Sequence, residues 1–191
     1  MKIYHNAFQA GRDHPSSIIA LGKFDAMHLG HHRIIDTALD KARAFKTSCL
    51  VVTFDPTPEL FCQLYSYQPV LSLAQRLEML KALGVGAVVL LPFDKNLTCL
   101  SPEAFADTVL SRQLKPLGVC VGADFCFGKD RAGRVSTLEE LGDTLGFTVY
   151  PVPLLNADGE KITATRIRRL LDEGEVAKAE SLLGRKIDAV L

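Results

Sequence analysis

The sequence predicts an α/β fold built on an open parallel sheet, and three observations carry that expectation. Five short runs rich in β-branched residues alternate with helix-like segments. Most of these runs are continuously apolar rather than alternating, as strands covered on both faces are. A third pointer is the stretch from Ile18 to His31, an apolar run that passes into a loop holding His28, Gly30 and His31, with a helix-like segment after it. Strand, loop with glycine and histidine, then helix is the layout of an anion site at the carboxyl end of a parallel strand.

The strand-like runs span residues 18–22, 48–54, 87–91, 119–122 and 147–152. Helix-like segments cover residues 29–45, 73–83, 102–113 and 137–145. Leu73, Leu77 and Leu80 recur at helical spacing. Ser101-Pro102-Glu103 makes a good helix start, with Ser as N-cap and Pro at the first helical position. Right-handed crossovers would then set helices on both faces, a Rossmann-like open parallel sheet. After Pro151-Val152-Pro153 the pattern changes. Asp158-Gly159 marks a turn. Two short helices, 163–172 and 175–183, meet at Gly174 and are expected to fold back as a C-terminal helical cap.

Length and composition narrow the class. With 191 residues, 48% apolar and 23% charged, the chain suits one globular domain with a sizeable core. Its 22 basic and 22 acidic side chains cancel, so no overall charge attracts nucleic acid. The local cluster Arg166, Arg168 and Arg169 suits a small phosphate ligand better than a polymer. Residues 1–12 lack the apolar core of a signal peptide, and no uninterrupted apolar segment is long enough to span a bilayer. A cytoplasmic protein without a membrane partner is the expectation. Five cysteines, an odd number with no C-x-x-C pair, argue against a disulfide framework or a zinc site. Cys49 and Cys120 read as small buried hydrophobes.

The chemistry is concentrated in a few stretches. Histidines that donate hydrogen bonds, together with a helix N-terminus, can stabilise charge building on phosphate oxygens without forming a covalent bond. His28 and His31 have that context, and Gly30 keeps the backbone bare where a phosphate must approach. His32 reads as a solvated helix residue, and His5 and His14 as plain surface residues. Asp25 could cap the turn into the helix or hold a metal-bound water; both readings stand. Phe24 is core or a ligand-stacking wall. Thr53-Phe54-Asp55-Pro56-Thr57-Pro58 closes the second strand as a rigid loop. Asp124, followed by Phe125 and Phe127 at the end of the fourth strand, could hold a flat aromatic ring by stacking and a polar edge contact. Residues 128–134 resemble a P-loop only in outline, because Arg134-Val135 stands where Lys-Ser/Thr is required; they read as a mobile surface loop near the ligand. Thr163 to Arg168 joins hydroxyls at a helix start to arginines one turn in, an anion receptor.

Together these pieces resemble one family. Residues 22–31, Gly-Lys-Phe-Asp-Ala-Met-His-Leu-Gly-His, are similar to the G-x-F-D-G-x-H-x-G-H signature of the adenylyltransferase domain of bacterial FAD synthetases, within the H-x-G-H nucleotidyltransferases. Thr53 to Pro56, Leu91 to Asp94, Val121 to Gly128 and Ile162 to Arg168 resemble later stretches of that domain, in the same order. The resemblance runs from about Ile18 to Arg185. It implies an ATP:FMN adenylyltransferase that uses Mg²⁺, takes FMN and ATP, and releases FAD and pyrophosphate. On it, His28 and His31 bind the phosphates and stabilise the transition state. Gly22, Phe24, Asp25 and Gly30 line the nucleotide pocket, and Thr165 and Arg168 hold the ATP phosphates. Asp124, with Phe125, Phe127 and Thr57, falls on the flavin side.

Four departures stand out. Ala26 replaces the family's usual Gly, Thr57 the His of its P-H-P loop, and Ala164 the second Ser of its I-S-S-T pattern. The family usually continues past Gly-Arg-Pro into a riboflavin kinase domain; here Lys186 takes the proline's place. A single adenylyltransferase-like domain over 1–191 without the kinase domain is therefore expected. The departures keep two other readings in play: nucleotidyl transfer to another phosphorylated small molecule, and a nucleotide- or flavin-binding paralogue without turnover.

Overall fold

The computed structural model describes residues 1–63 and 67–187. Residues 188–191, the end of the expected domain, lie outside the described residues. In chain order the elements are β1 (Lys2–Tyr4), α1 (Ala7–Asp13), β2 (Ile18–Leu21), α2 (Leu29–Ala44), β3 (Cys49–Asp55), α3 (Pro58–Phe61), α4 (Leu73–Ala82), β4 (Ala87–Pro92), α5 (Lys95–Thr98), α6 (Pro102–Phe105), β5 (Gly118–Gly122), α7 (Val135–Leu145), β6 (Thr148–Val152), β7 (Asn156–Ala157), β8 (Glu160–Lys161), α8 (Ala164–Asp172) and α9 (Val176–Leu183).

Strands β1 to β6 form one parallel sheet in the order β1-β4-β3-β2-β5-β6. Alternate side chains of each strand enter opposite core layers. Ile19 and Leu21 join Val52, Val89 and Val119 on the face covered by α1, α6 and α7. Ile18 and Ala20 join Val51, Val88 and Cys120 on the face covered by α2 and α4. This two-sided cover explains the unbroken apolar runs, each large aliphatic side chain gaining about 1.5–3 kcal/mol from burial. From β2 the chain builds outward through β3 and β4, then crosses to the other side of β2 to lay down β5 and β6. The switch point thus lies between the carboxyl ends of β2 and β5, where such sheets leave a crevice.

The sequence pattern misses the first strand and helix. Strand β1 is three residues long with two of them exposed, so it carries almost no apolar signal. Helix α1 starts at an Asn6 cap that accepts from the Gln9 amide. It lies against the backbone near Gln113, close enough that a Cβ at Gly11 would come within 1.9 Å of the Gln113 carbonyl. His14 at its end is half-buried rather than on the surface: it contacts the Tyr4 hydroxyl at 3.0 Å and the Ser48 hydroxyl at 3.1 Å. The segment expected as one helix over 102–113 begins as α6, capped by Ser101, but continues as a π-helix from Ala106 to Leu114. Four-residue spacing lines up Ala106, Leu110 and Leu114, all fully buried, which suits the wider winding. Cys120 is buried, as read; Cys49 is only half-buried.

The C-terminal cap is present. Hairpin β7–β8 turns at Asp158-Gly159, both with positive φ. Helices α8 and α9 pack Ile167, Leu170, Leu182 and Leu183 around Ala26, which belongs to the loop after β2. The methyl group of Ala26 is fully buried there, so this departure from the family pattern has a packing role.

Candidate functional site

The loop from Gly22 to Gly30 leaves the carboxyl end of β2 at the switch point and enters α2. Its backbone is unusual, with Phe24 at φ 51° and Met27 at φ 46°. Both side chains are large and fully buried. Left-handed conformations of this kind cost of order 1–3 kcal/mol each and persist only where the surroundings fix them. The Phe24 ring folds back under Gly22, where a Cβ would lie 3.1 Å from the ring. Phe24 is therefore core, and its ring meets His31 edge-on at 5.4 Å.

His28 caps α2: its Nδ1 accepts from the His31 amide at 3.3 Å. That bond puts the ring proton on Nε2. The rings of His28 and His31 stack at 3.7 Å with 15° between their planes. Gly30 makes room for this arrangement, because a Cβ there would sit 3.1 Å from the His28 ring. Its bareness serves the histidine as well as any ligand. Burial pushes the His28 pKa down to about 4, and the neighbouring His32 adds to the shift. Burial also holds His31 well below the ordinary value, helped by His28 and Lys23. Both rings are neutral at pH 7, and Nδ1 of His31 is buried without a partner among the described residues. His32 is half-buried with a pKa lowered by burial, which corrects its reading as a solvated residue.

Asp25 does not cap α2. It is almost fully buried, pairs with Arg168 Nη1 at 2.6 Å and accepts from the Val70 amide at 3.2 Å. Arg168 also lies over the Tyr67 ring at 4.8 Å, with its second nitrogen 3.4 Å from the Thr165 hydroxyl. Thr163 caps α8 by accepting from the Arg166 amide at 3.1 Å. Helix starts at α2 and α8 thus open on the same space.

That space is a cavity of about 530 Å³. It brings together the sequence-predicted site residues except Thr57 and two arginines of the basic cluster: Arg166 turns to Asp158 and Glu160, and Arg169 to Glu160. Thr57 is buried, caps α3 and does not line the cavity. On the side away from the histidines, Phe125 and Phe127 stack at 5.7 Å, and Phe105 packs against Phe127. Phe127 is largely core, while Phe125 is half-buried. Asp124 is exposed and pairs with Lys161 of β8 at 2.6 Å. Residues 128–134 form a closed loop whose base is tied by the Phe127–Gly133 backbone pair. Its Arg131 lines the cavity and has no ion-pair partner among the described residues.

Several lining residues carry little sequence signal. Lys161 sits in a two-residue strand, and Phe54 and Phe93 read as ordinary strand and loop residues until the fold sets them edge to face at 5.6 Å. Lys23 pairs with Glu59 across the loops after β2 and β3. One Glu59 oxygen remains buried and unpartnered among the described residues. Residues of both signs face the cavity, so each bound phosphate must compete with a carboxylate for Lys161 and Arg168.

The FAD synthetase family model matches residues 11–166. A putative bifunctional riboflavin kinase/FMN adenylyltransferase of Geobacillus thermodenitrificans is 32% identical over 188 residues, covering 96% of this chain and 97% of that protein. The bifunctional riboflavin kinase/FMN adenylyltransferase of Escherichia coli is 30% identical over 181 residues, covering 94% of this chain and 57% of that one. The chain thus spans nearly all of one relative and little more than half of the other. A crystal structure named as a macrolide-efflux protein from Streptococcus pneumoniae is similar at a TM-score of 0.83 and 29% identity, over 97% of this chain and 72% of that one. Pantoate-beta-alanine ligase from Francisella tularensis shares the fold at a TM-score of 0.58 and 18% identity, over 95% of this chain and 86% of that one. With the family model covering most of its length, the chain belongs to the FAD synthetase family.

Proposed function

We propose that this chain transfers the AMP moiety of ATP to FMN. A phosphate oxygen of FMN attacks the α-phosphorus of ATP, the bond to the bridging oxygen of pyrophosphate breaks, and FAD leaves with pyrophosphate. One observation carries the reading: the stacked, neutral His28–His31 pair at the start of α2, inside the switch-point cavity. A neutral imidazole with its proton on Nε2 donates a hydrogen bond to a phosphate oxygen and adds no charge until the transition state builds one. His31 lines the same cavity and is the second imidazole in reach of a phosphate oxygen.

Thr165 and Arg168 are the residues for the ATP phosphates. Arg168 must then share its guanidinium between Asp25 and the ligand, which its two terminal nitrogens allow. Gly22, Asp25 and Gly30 shape the nucleotide side, with Phe24 beneath it. Asp124, Phe125 and Phe127 are the flavin side, joined by Phe54 and Phe93 as aromatic walls. Mg²⁺ would come with the ATP phosphates and would offset their charge. Of the cavity's carboxylates, Glu59 would be the one to offer an oxygen to that ion, since one of its oxygens has no partner among the described residues.

The chain is read as a cytoplasmic protein acting on small molecules, with neither nucleic acid nor membrane as partner; among the described residues no helix is long and apolar enough to cross a membrane. Incubation with FMN, ATP and Mg²⁺, read by chromatography, is the test. FAD and pyrophosphate in equal amounts are expected. Pyrophosphate release with a different phosphorylated acceptor, and none with FMN, would overturn the choice of acceptor.

A further inference from the structure

Arg76, in the middle of α4, is 3% exposed. A surface helix has no need of a charge on its inner face, and taking a guanidinium out of water is costly unless its donors are met. No carboxylate lies within ion-pair distance of it among the described residues; Asp25 and Asp55 act on it only from farther off. Burial accordingly pulls its pKa below the ordinary arginine value. What meets its two terminal nitrogens is mainly backbone, with the Thr53 hydroxyl 3.4 Å from Nη1, while Nε is buried without a partner among the described residues. Nη1 donates to the Lys23 carbonyl at 2.8 Å and Nη2 to the Phe54 carbonyl at 3.2 Å. Thr53, also fully buried, donates to the same Lys23 carbonyl at 2.9 Å.

Those two carbonyls belong to the ends of β2 and β3, and both chains continue along the cavity. The Lys23 carbonyl stands immediately before Phe24, the first of the two strained residues in the histidine loop. On its other side that loop is held by Arg168 on Asp25 and by Arg185, which donates to the Ala26 carbonyl at 3.3 Å. The loop would relax at Phe24 and Met27 if its entry were free. Such relaxation would turn the ring of His28, since the α2 cap depends on that backbone path.

We propose that Arg76 is a positioning residue for this active site: a carbonyl clamp that joins the ends of β2 and β3 and holds the strained loop in the shape that stacks His28 on His31. It touches no substrate. The proposal rests on the adenylyl-transfer reading above for its kinetic arm alone. A hydrophobic residue of similar length would fill the same space and fold the same helix, but would take the arginine donor from both carbonyls and leave the Lys23 carbonyl with the Thr53 hydroxyl alone.

The test uses the full chain with Arg76→Ala, Arg76→Lys and Arg76→Met, and two readouts. The first is FAD formation beside the wild type. We expect Arg76→Ala and Arg76→Met to lose about 30- to 100-fold in kcat with KM for ATP and FMN moving less than about threefold, the pattern of misplaced rather than missing contacts. Guanidinium ion at millimolar concentration should restore part of the turnover of Arg76→Ala and none of Arg76→Met, whose side chain fills the gap. The second readout needs no substrate: NMR titration of the histidine rings. In the wild type His28 should titrate near pH 4, and in Arg76→Ala its midpoint should move up toward the ordinary value. Turnover of Arg76→Ala within threefold of wild type, or an unmoved His28 midpoint, would overturn the clamp. If Arg76→Ala does not fold, Arg76→Lys decides by the same readouts, since an ammonium cannot span both carbonyls; wild-type behaviour there would overturn the proposal as well. A wild type that makes no FAD would sink the assigned reaction, and the titration would still decide the clamp.

Discussion

The two loops that face each other across the cavity are built on opposite plans. The loop after β2 is buried, bent through two left-handed residues, and pinned at Lys23, Asp25, Ala26 and His28. The loop after β5 is rooted by Phe127 in the core, yet its polar residues, Asp124, Asp130 and Arg131, are exposed. Phosphate chemistry demands donors fixed before charge develops, because reorganisation during the reaction would consume what the donors contribute. An acceptor that must enter and a product that must leave demand the reverse. The division of labour is visible in the ion pairs: Asp25–Arg168 is buried on its acid side, with 3% exposure, whereas Asp124–Lys161 is open to water on both.

The strongest way to break this contrast is at the buried pair. Asp25→Ala leaves Arg168 without its partner and the Val70 amide without its acceptor. Loss of a buried pair member costs about 3–5 kcal/mol of stability, measurable as a shift in denaturant midpoint. Next comes His31→Ala, which should slow FAD formation by about 3 kcal/mol of transition-state stabilisation, by analogy with removal of one oxyanion donor. An unchanged kcat would take His31 out of the mechanism.

Acid should expose the same contrast without a mutation. His28 is neutral in the folded protein down to about pH 4, while in the unfolded chain it gains a proton near 6.5. The unfolded state therefore binds more protons within that window, and stability must fall as pH drops from 6.5 to 4, then level off. The loss attributable to His28 is of order 3 kcal/mol over the window. The stability difference between wild type and His28→Asn should change with pH across that window and hold constant above pH 7, as denaturation curves at several pH values would show. On the open side, Lys161→Met should change stability by less than about 1 kcal/mol, since exposed pairs contribute little. Its effect belongs in the KM for FMN, a few-fold at most. Smallest of all is Thr57→Val. The hydroxyl of Thr57 is buried and meets the Tyr67 hydroxyl without a well-formed hydrogen bond, so its removal should change the melting temperature only slightly.

Much of the pinned side was legible in the sequence. Residues 18–21 announce a strand covered on both faces, and His28, Gly30 and His31 follow it at the spacing that a cap and first helical turn impose. What could not be read was how that loop is held. Arg76 looks like any helix charge, and Arg185 like part of a chain terminus; both matter through carbonyls, which leave no mark on side-chain pattern. For Asp25 a helix cap and a metal-bound water both stood open, the first because capping is local, whereas its ion-pair partner lies on α8. Gly30 illustrates a finer miss: a bare position was expected for a phosphate, and the His28 ring uses that space. Thr57 shows the reverse limit, since a loop position next to the cavity in sequence points away from it in the fold. On the open side, Lys161 and Arg131 depend on a two-residue strand and a three-residue turn, elements too short to leave a period.

The contact between Asp25 and Arg168 joins residues 143 positions apart, and the one between Ala26 and Arg185 joins residues 159 apart. During synthesis the sheet has all its strands before α8 and α9 emerge, and a chain is made from its amino end at about 5–20 residues per second. Until those two helices dock, the acid of the histidine loop has the Val70 amide but not its arginine, and the carbonyl beside it lacks the Arg185 donor. The proposed site is therefore complete only once α8 and α9 have docked, and a nascent or clipped chain that has its whole sheet but lacks those helices does not yet possess it.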